Sequence, residues 1–228
     1  MATVFLNGAF VSLAEARVSA FDAGFQHGVG LFETMTAVAT AGGGRPRVLA
    51  LWEHLERLRL SAMELGLVSS LHVNALAEAV ERAAEREAES TRDTEHFRVR
   101  LTLTGGDLNL LARKMTADSA GRGPQGGHEP TLMIHVQPAT MYPEEMFERG
   151  VQVVVGDLKV NPLDPTAGHK TLNYWARLRE LQQAAGKGAA EALIFQVSNH
   201  LAGGAVSNVF VVKDGMLVTP IARGEEEE

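Results

Sequence analysis

The chain has no cysteine in its 228 residues, which excludes a disulfide framework and any thiolate metal site. It has no apolar run approaching the ~20 residues that a bilayer-spanning helix requires. Its first residues, Met1-Ala2-Thr3-Val4-Phe5-Leu6-Asn7-Gly8, lack the basic segment and long apolar stretch of a secretory leader. Basic charge is in deficit: 21 Lys+Arg stand against 28 Asp+Glu, for a net charge of −7. Nucleic acid and anionic membranes both require a basic surface, so neither is an expected partner. The histidines are scattered without ligand spacing and no GxxxxGK phosphate loop is present, so no metal site is expected. What remains is a hydrophobic content of 45% in a chain long enough for two modest domains. The expectation is a cytoplasmic protein acting on a small molecule.

Strands and helices alternate along the sequence. Thr3 to Leu6 and Ala9 to Val11 flank Asn7-Gly8, a dipeptide suited to the positive φ angles of a two-residue hairpin turn. Leu51, Leu55, Leu58, Ala62 and Leu65 recur at three- and four-residue spacing, which predicts an amphipathic helix ending near Gly66. Val73, Leu76, Val80 and Ala84 predict a second over Val73 to Glu89. Phe97 to Thr104 alternates strictly, with Phe97, Val99, Leu101 and Leu103 on one face of a strand and Arg98 and Arg100 on the other. The glycine-rich stretch between Asp107 and Pro130 reads as a mobile surface loop, after which Thr131 to Val136 regains strand character.

The domain organisation follows: an N-terminal α/β domain over residues 1–138, a linker at 139–143, and a C-terminal unit over 144–228. The second unit begins with a strand at Val151 to Val155 and runs through a proline-punctuated stretch, Val160 to Pro165, into a helix from about Leu172 to Ala185. Strands are expected at Ala192 to Gln196, Asn208 to Val212 and Met216 to Thr219. The chain finishes in Glu225-Glu226-Glu227-Glu228, a like-charge run expected to be disordered.

Two segments carry the chemistry. Ala167-Gly168-His169-Lys170-Thr171-Leu172-Asn173-Tyr174 precedes the predicted helix, and Gly203-Gly204-Ala205-Val206-Ser207-Asn208-Val209-Phe210 follows some distance on. Together with Phe21 to Thr34 and His54-Leu55-Glu56-Arg57-Leu58, they resemble the class IV (fold-type IV) pyridoxal-phosphate enzymes, which include branched-chain and D-amino-acid aminotransferases and aminodeoxychorismate lyase. The resemblance runs from the opening hairpin to Pro220. It implies a two-domain α/β (α+β) fold of the D-amino-acid aminotransferase type, and beyond Pro220 the family continues into a phosphate-holding loop, so the C-terminal domain is expected to be incomplete here.

By the same resemblance, Lys170 carries pyridoxal 5'-phosphate as a Schiff base and shuttles a proton. Arg57 binds the cofactor phosphate, a task that suits a planar guanidinium. Tyr174 hydrogen-bonds the cofactor's phenolic oxygen, Ser207 and Asn208 lie at the cofactor, and His27 and Phe32 line the substrate pocket. Ser207 and Asn208 also read as an ordinary turn after a strand. Arg98 and Arg100 are either a solvated strand face or a bidentate partner for a substrate carboxylate. His169 either tunes the lysine or is a structural histidine.

One departure stands out. Five residues before Asn208 the family has a glutamate that pairs with the pyridine nitrogen, and here the position is Gly203. Glu191 matches a different acidic position. The function expected from the resemblance is transamination between an amino acid and a 2-oxo acid by a homodimer. The alternatives are a lyase-type β-elimination on the same lysine and a pyridoxal-phosphate-binding homologue without turnover.

Overall fold

The computed structural model describes residues 3–40, 44–91, 93–107 and 130–221. The loop expected between Asp107 and Pro130 and the terminal glutamate run fall, for the most part or wholly, outside them. The chain divides into two compact units: the first comprises Met1–Thr140 together with Lys170–Leu172, the second Met141–His169 and Asn173–Glu228.

A six-stranded sheet organises the first unit, with strand order β2-β1-β6-β5-β3-β4 and every pairing antiparallel. Its strands are β1 (Thr3–Leu6), β2 (Ala9–Ser12), β3 (Gly30–Val38), β4 (Arg47–Val48), β5 (His96–Thr104) and β6 (Leu132–Pro138). The β1–β2 hairpin turns at Asn7 and Gly8, whose φ values of 47° and 92° are those the Asn-Gly pair favours. Helices α2 (Leu51–Glu64) and α3 (Val73–Ser90) cover one face of the sheet. They bury the stripes predicted from the sequence, Leu51, Leu55, Leu58 and Ala62 from α2 and Leu76, Val80 and Ala84 from α3. These meet Leu31, Met35 and Ala37 of β3, Phe97, Val99, Leu101 and Leu103 of β5, and Ile134 and Val136 of β6. The opposite face is the polar one. There Arg100 of β5 lies directly across from Thr34 of β3 and His135 of β6.

A short helix, α1 (Ala23–His27), precedes β3. Its N-cap Asp22 accepts from the amides of Gly24 at 2.8 Å and Phe25 at 3.4 Å, and its other oxygen accepts from the hydroxyls of Thr104 at 2.6 Å and Thr131 at 2.7 Å. A buried carboxylate with four donors is fully compensated, and it ties the segment before β3 to the ends of β5 and β6.

The second unit contains α4 (Glu144–Arg149), β7 (Val153–Val160), α5 (Trp175–Gly186), β8 (Glu191–Gln196), β9 (Leu201–Gly204), β10 (Val211–Lys213) and β11 (Met216–Val218). Strands β7 and β8 are parallel and require the crossover that α5 supplies, and β9 is antiparallel to β8. Ala184, Ala189, Ala192, Ile194 and Ala205 form its small core. Glu180 is buried on α5 and accepts from the Asp157 amide at 2.8 Å, at the irregularity that interrupts the β7–β8 register. The helix starts at Trp175, three residues later than expected, because Lys170–Leu172 is drawn into strand pairing elsewhere. No helix among the described residues is long and apolar enough to cross a membrane.

Candidate active site

Lys170 sits on a strand-like segment that pairs with β3. The Phe32 amide donates to the Lys170 carbonyl, the Leu172 amide donates to the Gly30 carbonyl, both at 2.9 Å, and Thr171 bridges Leu31. This pairing places Lys170 directly opposite Phe32, so both side chains project from the same face. The approach requires glycine at position 30: a Cβ there would lie 2.6 Å from the Leu103 carbonyl oxygen and 2.7 Å from Leu172 Cδ1. The Lys170 ammonium nitrogen lies 4.7 Å from the Phe32 ring centroid, and the Arg100 guanidinium carbon lies 3.5 Å from it. Phe32 is thus an apolar floor shared by two basic side chains, within the range in which a cation is attracted to a ring.

Around Arg100 the polar face stays basic. His135 stands across from Arg100 on β6, and its pKa is pushed below the ordinary histidine value by burial and then by the neighbouring charges of Arg100 and Arg98. Arg98 itself is exposed. His27, at the end of α1, is exposed and makes no described contact with Lys170 or Phe32.

On the helix side, β3 contributes Glu33, only 1% exposed. Its carboxylate accepts from Arg57 Nε at 2.7 Å, from Arg57 Nη2 at 2.5 Å, and from His54 Nδ1 at 2.7 Å. Burial pushes the Glu33 carboxyl up, but the hydrogen bonds and positive charge of His54 and Arg57 outweigh it and hold the group below the usual carboxylate range. The same bonding raises Arg57. Glu33 and His54 were not singled out as site residues from the sequence. The signal was there: a glutamate in the apolar row of a strand, and a His-x-x-Arg spacing that puts two donors on one side of a helix.

The other expected cofactor residues belong to the second unit. Tyr174 is half-buried just before α5, with Arg177 over its ring at 5.9 Å. The Ser207 hydroxyl donates to Glu191 Oε2 at 2.7 Å, and the amides of Ala205 and Val206 donate to the same carboxylate. Asn208 is exposed. Glu191 is therefore engaged in shaping the turn between β9 and Asn208. Gly203 has φ +147°, a conformation that a side chain disfavours. The structure brings Lys170, Phe32 and Arg100 together, and Arg57 with Glu33 and His54, all within the first unit.

The donor set fits a phosphate-bearing aldehyde. A primary amine is held on a rigid paired segment, and a half-exposed guanidinium has donors left over after binding its carboxylate. No group of three or more His, Asp or Glu is placed to hold a metal ion among the described residues.

Comparison with known proteins identifies a family. A family model described as amino-transferase class IV matches residues 30–225. A putative branched-chain-amino-acid aminotransferase of Methanocaldococcus jannaschii is 30% identical over 95% of this chain and 67% of its own length. The D-alanine aminotransferase of Staphylococcus epidermidis is 27% identical over 96% of this chain and 69% of its own length. Among solved structures, a hypothetical aminotransferase from Mycobacterium tuberculosis, in its alpha-ketoglutarate and PMP bound form, superposes with a TM-score of 0.73 at 26% identity, covering 96% of this chain and 71% of that one.

Proposed function

The chain belongs to the class IV aminotransferases and has the fold of the fold-type IV transaminases, and on that premise we propose that it transfers an amino group between an amino acid and a 2-oxo acid with pyridoxal 5'-phosphate, using Lys170 as the anchoring and proton-carrying amine. The observation that carries the proposal is the pairing of Lys170–Leu172 with β3, which fixes the lysine beside Phe32 and Arg100.

When bound, the cofactor supplies a carbonyl that condenses with amines and a conjugated ring that withdraws electrons from the substrate's Cα–H bond. The rest falls to the chain. Lys170 Nζ would anchor the cofactor and, once released, would take the proton from the substrate α-carbon and return it at the carbonyl carbon that the cofactor supplies. Arg57 holds the phosphate through the donors that Glu33 leaves exposed. Arg100 is the partner for a substrate carboxylate, since its guanidinium is already oriented on Phe32 and burial together with the arginine charges lowers the pKa of its neighbour His135; Arg98 extends the same basic face. Phe32 would exclude water beneath the lysine, and the family resemblance assigns His27 to the substrate pocket. The family resemblance assigns Tyr174, Ser207 and Asn208 to the cofactor as well. A homodimer acting in the cytoplasm on a small-molecule substrate is part of the same reading.

The test is amino-donor turnover. The cofactor-loaded protein is incubated with single amino acids and a 2-oxo acid acceptor, and new amino acid is measured by chromatography. Cofactor binding without product from any donor would reduce the proposal to a binding protein. Pyruvate and ammonia from a single substrate, with no acceptor required, would mean elimination instead.

A further inference from the structure

Glu33 is out of place by the ordinary logic of a strand. It stands between Leu31 and Met35 in the row of β3 that packs under α2, a row otherwise apolar and buried. A carboxylate there loses its hydration, and a leucine or methionine would pack the same space without that cost. What Glu33 does in return is specific. It takes Arg57 side-on, through Nε at 2.7 Å and Nη2 at 2.5 Å. His54 is one turn earlier on α2 and donates Nδ1–H to the same Oε2 at 2.7 Å. Nδ1 is therefore a donor, and its 3.1 Å approach to Arg57 Nη2 is a contact between two groups serving one carboxylate.

A planar guanidinium gripped through Nε and one Nη2 hydrogen cannot rotate. Glu33 does not use the two hydrogens of Nη1 or the outer hydrogen of Nη2; Nη2 also lies 3.1 Å from His54 Nδ1, and Nη1 meets no acceptor among the described residues. The Arg57 side chain is 52% exposed, so it is not enclosed by the protein. Two parallel N–H groups on one guanidinium edge match the spacing of two oxygens on a phosphate.

We propose that Glu33 is a positioning residue for the cofactor-phosphate site: it clamps Arg57 side-on so that the outer edge of the guanidinium is aimed at the phosphate, and His54 braces the clamp. This rests on the reading of Arg57 as the phosphate ligand. A carboxylate close to an anion site would otherwise only repel the anion; it is tolerated because Arg57 stands between them and because an ordered fork loses less entropy on binding than a free one.

The experiment compares two ligands that differ only in the group at issue, pyridoxal 5'-phosphate and pyridoxal, with dissociation constants measured by absorbance titration on the full chain. Glu33→Gln keeps the shape and loses the charge and one of the two acceptors for Arg57. The expected result is about tenfold weaker binding of pyridoxal 5'-phosphate with unchanged binding of pyridoxal. In Arg57→Lys, which has no fork to aim, Glu33→Gln should add little further loss. The His54 variants read the same quantity with Glu33 intact: His54→Ala should lose about threefold for the phosphorylated ligand alone, and His54→Asn, whose amide can reach the same oxygen, should recover it. Equal losses for both ligands, or full additivity of Glu33→Gln with Arg57→Lys, would make Glu33 a merely structural residue and overturn the proposal. If the unaltered chain binds the two ligands equally, Arg57 holds no phosphate, and the underlying reading falls as well.

Discussion

Replacing Gly203 with alanine should destabilise the protein although space is available for the new methyl. The residue lies on β9, paired with Ile194 of β8, and adopts φ +147°. A Cβ built there meets nothing closer than the Ser207 carbonyl oxygen at 3.7 Å, an ordinary contact. The cost is therefore in the backbone, about 1–3 kcal/mol for a non-glycine residue held in a region that glycine alone visits readily. A loss of ~2 kcal/mol lowers the melting temperature by about 4–8 °C if the chain melts as one unit, and by roughly twice that if the smaller second unit melts alone. Thermal melts followed by circular dichroism measure the effect. Gly186→Ala is the internal control, because that glycine ends α5 with open space around it and alanine should be neutral or slightly stabilising. Gly203→Glu carries the same backbone cost, so an acid cannot be introduced at this position without loss of stability. Gly203→Ala melting within a degree of the unaltered protein would refute the reasoning, and a stable Gly203→Glu with faster α-proton exchange would show that the position accommodates the acid that the family carries.

Three further outcomes follow from the charges on and around β3. Arg57→Ala should weaken cofactor binding and also destabilise the fold by roughly 2 kcal/mol in urea unfolding, less than for a fully buried pair because Arg57 is half exposed, yet appreciable because Glu33 is left buried without its fork. Glu33 has a folded-state pKa below its unfolded value, so it contributes stability that is present above a pH of about 4.3 and is lost as the pH falls through the folded pKa; Glu33→Gln should flatten that acid limb. His135 has its pKa lowered by burial and by Arg100 and Arg98, so its ring should titrate by NMR below the ordinary ~6.5 and move upward when a 2-oxo acid carboxylate binds at Arg100.

Much of the fold could be read from the sequence where one side of an element is apolar and the other polar. The stripes of α2 and α3 and the alternation of β5 are clear because each has a single buried side. Strand β3 was not marked out, for a physical reason: Glu33 stands in the row that packs under α2 and Phe32 in the opposite, otherwise more polar row, and both are buried, so the two residues break the alternation. Strand β9 is Leu-Ala-Gly-Gly and has too little side chain to show a period. Lys170, Arg57 and Phe32 were singled out by resemblance, whereas the hydrogen bonds between Glu33 and Arg57 and the pairing of Lys170 with β3 were not anticipated. Both are contacts between residues far apart in sequence, and no local pattern encodes them.

The central claim is that Lys170 is the amine that binds the cofactor. Borohydride reduction of the pyridoxal 5'-phosphate-loaded protein, followed by proteolysis and peptide mass mapping, tests it directly. The account predicts a single stable phosphopyridoxyl adduct on the peptide containing His169-Lys170-Thr171, and none on Lys170→Ala. An adduct on Lys159 or Lys187 in place of Lys170, or equal labelling of Lys170→Ala, would contradict it.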